Sequence, residues 1–208
     1  MKKSKLNLIL IASLFMLGCR SYSVMENLPY ITESTKLPAM DVVLDEQSFA
    51  TVTGYATSSF GKTSSISYTS QALHNASLMF QTNMYGIINK IGERKGKVVC
   101  RLLMADQKLG LGWTVLSGIT FCALNLFGLP FGTTTVSIIV EIDFYDNHDN
   151  IVATYRSKEH KEKKYYAMYW GYMNAGDAAF YECFKQCLGD INAEIKSNYN
   201  NLKSIYLK

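Results

Sequence analysis

The sequence predicts an α+β fold: one mixed or antiparallel sheet, two amphipathic helices on one face of it, and an apolar insert between strands. Three observations carry this. Apolar residues fall at spacings of three and four from Leu73 to Ile91, and again from Phe180 to Ile195, the period of a helix buried along one side. Between those stretches, Thr133 to Tyr145 alternates Ile138, Val140, Ile142 and Phe144 with Ser137, Glu141 and Asp143, the period of a half-buried strand. A run of turn formers, Asp146-Asn147-His148-Asp149-Asn150, then leads into Ile151–Arg156, which makes the pair a hairpin.

The remaining elements follow in order. Residues 40–57 alternate loosely through Val42, Leu44, Phe49, Val52 and Tyr55 and read as one strand or two. Gly, Ser and Thr dominate from Ser58 to Ser70, the composition of a loop. From Gln71 the stripe Leu73, Ala76, Phe80, Met84, Ile87 and Ile91 defines a helix of about five turns. Gly92 and Lys95-Gly96 end it, with the cation where the helix dipole favours it. Lys97–Met104 carries Val98, Cys100 and Leu102 on one face and Val99 and Leu103 on the other, so it reads as an interior strand. Asn174 stands as an N-cap and Asp177 in the first turn of a closing helix whose stripe is Phe180, Phe184, Cys187, Leu188, Ile191 and Ile195. Burying both helices against one face of one sheet is the economical packing of this order.

The first eighteen residues have the three parts of a secretory signal. Lys2, Lys3 and Lys5 form the positive end, Leu6 to Leu17 the apolar stretch, and Met16-Leu17-Gly18-Cys19 stands where cleavage falls. That tetrapeptide resembles the lipobox of bacterial lipoproteins, in which a small residue precedes the Cys that takes the lipid. Met16 stands where Leu is usual in that family, and Leu17 where a small residue is usual. An uncleaved transmembrane anchor is the competing reading, but twelve residues, Asn7 and Ser13 among them, fall short of the roughly 20 that span a bilayer. An ordinary Cys after an ordinary signal is the other alternative.

The resemblance implies acylation at Cys19 with palmitate-type chains, several of which hold a protein stably in a membrane where one does not. In such families an Asp after the Cys retains the protein in the inner membrane. Arg20 stands there instead, which implies the outer membrane with the domain facing the periplasm, and no acidic run follows to suggest export to the cell surface. The expected organisation is a signal peptide over 1–18, an acylated N-terminus and tether over 19–36, and one domain over 37–208. The element order together with Cys19 is similar to the small α/β domains of envelope lipoproteins, such as the lipopolysaccharide-assembly and curli-secretion lipoproteins.

Removing the signal removes three lysines, leaving 18 basic against 17 acidic residues. The basic balance therefore belongs to the signal and gives no argument for nucleic acid. Besides Cys19, the mature chain has four cysteines, Cys100, Cys122, Cys183 and Cys187. An even count in an oxidising compartment invites disulfides. Cys183 and Cys187, however, sit one helical turn apart on the stripe of Phe180 and Phe184, so buried reduced thiols are the preferred reading. The histidines His74, His148 and His160 are scattered, none paired with a Cys at ligand spacing, and no metal site is expected.

Gly110 to Val140 contains no charged residue, and 110–132 is nearly all apolar. Three readings are open: a spanning helix, a buried core helix, or an apolar finger that dips into one leaflet or packs on a partner. Spanning would put the two flanking strands of one sheet on opposite sides of a membrane. Gly112, Gly118, Gly128 and Pro130 break the run into short pieces and favour the finger. Its expected contact residues are Trp113, Leu116, Ile119, Phe121, Leu124, Leu126, Phe127 and Phe131. A basic run, Lys158 to Lys164, leads straight into Tyr165, Tyr166, Tyr169, Trp170 and Tyr172, the composition of a headgroup-level belt or of a sugar- or protein-binding surface. The bland alternative is a solvated strand end followed by core aromatics.

No catalytic motif is present: no Gly-x-Ser-x-Gly elbow, no His-Glu-x-x-His and no phosphate loop. Asp143, Asp146 and Asp149 near the hairpin turn could hold a cation, but turn acids are ordinarily just solvated. The expectation is therefore a non-enzymatic, cofactor-free, lipid-anchored accessory or assembly subunit of an envelope complex. It would hold membrane lipid through Cys19 and an envelope protein partner or a second copy of itself. The alternative is a lipoprotein that binds glycan or lipid through the Tyr/Trp cluster.

Overall fold

The computed structural model describes residues 23–29, 31–51, 54–58, 63–66, 70–110, 112–167, 171–172 and 174–207 of the 208-residue chain. The signal segment, Cys19, Tyr169 and Trp170 lie outside the described residues.

A long antiparallel hairpin organises the sheet. Its strands are β4 (Arg94–Gly110) and β5 (Gly132–Tyr145), paired from Lys97↔Tyr145 to Gly110↔Thr133 with one bulge between Leu102 and Met104. Shorter strands flank it on both sides. Along the free edge of β4 lie β1 (Ala39–Leu44) and β2 (Gly54–Ser58), both parallel to it, with β3 (Thr63–Ile66) antiparallel outside β2. The free edge of β5 takes β6 (Ile151–Arg156) at its C-terminal half and β7 (His160–Tyr166) at its N-terminal half. The sheet is mixed and seven-stranded, and the class is α+β as expected.

One face of this sheet is the core. Val98, Cys100 and Leu102 of β4 and Val136, Ile138, Val140, Ile142 and Phe144 of β5 are buried by strict alternation. Against them pack α2 (Ser70–Met84) and α5 (Ala175–Tyr206), which belong with the sheet to a single hydrophobic cluster. All six residues of the α5 stripe read from the sequence are fully buried. Phe180 and Phe184 stack at 6.0 Å, and Phe49 meets both edge-on at 6.3 and 6.2 Å.

Several local expectations differ from the structure. Phe49 sits in a one-and-a-half-turn helix, α1 (Glu46–Thr51), between β1 and β2, where the alternation suggested strand. The Ser48 N–H donates to the Asp45 carboxylate, which starts the helix, and Ser48 Oγ accepts the Leu102 N–H on the β4 edge that neither β1 nor β2 covers. The residues read as loop from 58 to 70 include β3. Helix α2 ends at Met84 rather than near Gly92, so Ile87 is buried in the following turn and Ile91 is exposed. Asn174 precedes α5 but makes no side-chain cap bond. Residues 160–166 form a full strand, β7, that runs on through Tyr165 and Tyr166, where the alternative reading has only a strand end.

The described part of the segment expected as a tether is laid over the two helices. Asn83 donates to the Pro29 carbonyl at 2.6 Å and Lys185 to that of Glu26, while the Tyr199 hydroxyl donates to Thr35 O at 2.7 Å. Ile31 is buried beside it.

Candidate functional site: an apolar finger and its collar

The insert 110–132 caps the β4–β5 hairpin at one end of the sheet. Gly110 and Thr133 form the last strand pair, and the two approach so closely that a Cβ on Gly110 would collide with Thr133 Oγ1. Beyond that pair come α3 (Gly112–Ile119) and α4 (Ala123–Leu126), joined by a turn through Thr120, Phe121 and Cys122. Eight helical residues rise about 12 Å, far less than a bilayer core. Among the described residues no helix is long and apolar enough to cross a membrane.

The finger is built inside out. Phe121 is 94% exposed, Phe127 87%, Ile119 71% and Leu126 52%, whereas Asn125 is 1% exposed and Ser117 7%. Val115 and Leu116 also face outward, and Trp113, Leu124 and Phe131 are half-buried. The buried-core-helix reading is thereby excluded. The polar groups serve the backbone. Asn125 Nδ2 donates to the Leu129 carbonyl at 3.0 Å, Thr120 Oγ1 to that of Leu116 at 2.9 Å, and the Cys122 N–H to that of Ser117 at 2.7 Å. Thr114 Oγ1 bonds the Phe131 carbonyl at 2.8 Å and ties the two stems together.

The tip is also strained. Phe121 and Cys122 both adopt left-handed backbone, φ 48° and 62°, without a glycine's freedom, at a cost on the order of 1–2 kcal/mol each. Cys122 is exposed, whereas Cys100, Cys183 and Cys187 are buried and reduced, as the helical spacing of the last two predicts.

A second segment singled out by the sequence meets the finger at its base. Tyr165 pairs with Thr133 and Tyr166 with Gly132 on β7, and the Phe131 N–H donates to the Tyr166 carbonyl at 2.7 Å. The Tyr172 N–H folds back onto the Tyr165 carbonyl at 2.9 Å. Lys163 lies 5.3 Å from the Tyr165 ring centre and Lys164 5.9 Å from that of Tyr172. Across the sheet Lys108, Thr135 and Lys163 stand in one row. Lys108 and Lys164 each face a carboxylate as well, Asp106 at 3.2 Å and Glu162 at 3.7 Å.

The acids of the hairpin turn do not gather. Buried Asp143 is held by Arg101 at 2.8 Å and by the Thr154 hydroxyl at 2.6 Å, and Asp149 pairs with Lys97 at 2.7 Å. Asp146 instead accepts the His148 and Asn150 N–H groups and the Asn150 side chain, and the Asn150 bonds hold its carboxyl below the usual range. Among the described residues no group of three or more His, Cys, Asp or Glu is placed to hold a metal ion.

No family model matches this sequence, and no curated protein matches it. Among solved structures, the chain is similar to the crystal structure of a Xanthomonas campestris protein of family DUF330, at 10% identity and a TM-score of 0.41, over 89% of this chain and 97% of that one.

Proposed function

We propose that the protein is a lipid-anchored, non-enzymatic accessory or assembly subunit of a bacterial envelope complex, acylated at Cys19, held at the outer membrane on its periplasmic side, with its apolar segment contacting membrane or partner. The observation that carries this is the inverted finger: Phe121 and Phe127 outside, Asn125 and Ser117 inside. Fully burying one such apolar side chain is worth roughly 1.5–3 kcal/mol. A chain that leaves Ile119, Phe121, Leu126 and Phe127 exposed on one projection forgoes several times that, unless the projection is covered in use. The lipobox-like Met16-Leu17-Gly18-Cys19 supports the anchor, and Arg20 after it supports the outer membrane.

The test is crosslinking and affinity purification of the full-length protein from native membranes, beside a chain in which 111–131 is replaced by a short Gly/Ser loop. A discrete envelope protein recovered with the intact chain and lost with the replacement supports the subunit reading. Recovery of the protein alone in both samples overturns it.

A further inference from the structure

Resting on the lipid-anchor reading above, we propose that the finger enters the same leaflet that holds the acyl chains of Cys19, so that the domain stands on the membrane finger first. The path of the N-terminal segment points to this. Its contacts with α5 run backwards along that helix, from Tyr199 at Thr35 to Lys185 at Glu26. The fourteen residues between those two contacts cover about 21 Å of helix. Helix α5 itself begins at the finger end of the sheet. Gly176 approaches Gln107 and the Tyr166 hydroxyl there, whereas the Tyr206 hydroxyl reaches the Tyr145 carbonyl at the far end. The segment therefore travels from the far end of the domain towards the finger.

Chain length completes the geometry. Lys185 lies ten residues, about 15 Å, from the start of α5. Glu26 closes a turn back onto Ser23 at 3.3 Å, and Cys19 is four residues further on, which span at most about 14 Å. That reach, when extended, carries an acylated Cys19 close to the level of the finger's base, and it is far too short to reach the opposite end of α5 at Tyr206.

The chemistry of the finger suits hydrocarbon. Over 110–132 there is no charge to desolvate, and the Asn125 amide and the Thr114 and Thr120 hydroxyls each donate to a backbone carbonyl, which lowers the cost of leaving water. At its base stand Trp113, Tyr165 and Lys163, rings and a long cationic stem that belong at headgroup level. A protein partner would fit the exposed apolar side chains equally well. It would not account for the anchor being led to the same end.

Cys122 supplies the probe, since it is the exposed thiol at the finger's tip and Cys100, Cys183 and Cys187 are buried. The full-length acylated protein is labelled there with a polarity-sensitive fluorophore and reconstituted into protein-free vesicles of phosphatidylethanolamine and phosphatidylglycerol carrying nitroxide-labelled acyl chains. The expected result is flotation with the vesicles, a blue shift of the emission and its quenching by the nitroxides. The double substitution Phe121→Asp and Phe127→Asp, at two exposed side chains, should float equally through its acyl anchor while losing the shift and the quenching. Flotation of the unsubstituted protein with no quenching overturns the proposal and leaves the anchor reading standing. Failure of the Cys19 chain to carry acyl groups by mass spectrometry, with no flotation, overturns that reading and the proposal with it.

Discussion

Ser157 and Val140 hold each other by two hydrogen bonds: the Ser157 N–H donates to the Val140 carbonyl at 2.9 Å, and Ser157 Oγ accepts the Val140 N–H at 3.0 Å. The pair sits where β6 ends and β7 has yet to begin, so one buried hydroxyl carries the β5 edge across the break. Replacing Ser157 by Ala leaves the Val140 N–H buried without a partner, which costs about 1–3 kcal/mol. The urea midpoint should fall with an unchanged m value. An unmoved midpoint would show that the break is bridged by other means.

The finger and the core should respond oppositely to the same chemical change. Phe184→Ala opens a cavity beside Phe49 and Phe180 and is expected to cost about 3–5 kcal/mol. Phe127→Ala removes an exposed ring and should change the stability of the purified domain by no more than about 0.5 kcal/mol. Thermal unfolding of both variants in the absence of lipid checks this. A large loss at Phe127 would mean that the finger belongs to the folding unit.

The thiols give a third check. Burial pushes Cys183 and Cys187 up to about 12, each helped by a nearby acidic group, and burial raises Cys100 too. In the native soluble domain a thiol reagent at mildly alkaline pH should titrate Cys122 alone, with Cys100, Cys183 and Cys187 joining on denaturation. The linkage has a definite sign. An unfolded thiol ionises near about 8.5 while these two stay protonated until about 12, so their contribution is whole below the lower value and is lost as pH rises through that window. Denaturation midpoints should decline between the two values, and Cys183→Ala should flatten the decline. A flat profile would count against burial of the thiols.

Hydrophobic periodicity was a sound guide wherever one side of an element is apolar and the other is not. The β5 alternation, the turn at 146–150, the β6 partner strand and the α5 stripe all stand as read. It misled where inward positions are polar. In β7 the side chains turned towards α5 are those of His160, Glu162 and Lys164. The first two are satisfied by Asp190 at 2.8 Å and Gln186 at 2.6 Å, so no alternation of apolar residues announces the strand. At the end of α2 the apolar rhythm ran on past the helix. Gly86 there packs so tightly on the Ile31 carbonyl that no side chain fits, and Ile87 and Ile88 are buried by a turn instead. Helix α1 is too short for any period to register.

Composition and spacing by themselves determined the class of the fold, most members of the core and the existence of an uncharged stretch between two strands, because burial acts residue by residue and leaves its period in the chain. Only the tertiary structure decided which way that stretch faces, with Asn125 inside and Phe121 outside, since exposure depends on what packs against a segment. It also brought Tyr165 and Lys163 to the finger's base through β7. Lastly, it led the N-terminal segment along α5 to the same end through contacts such as Lys185 with Glu26. Those pairings join residues at least 28 positions apart in the chain. They are made by strand register and helix packing, about which local sequence carries no record.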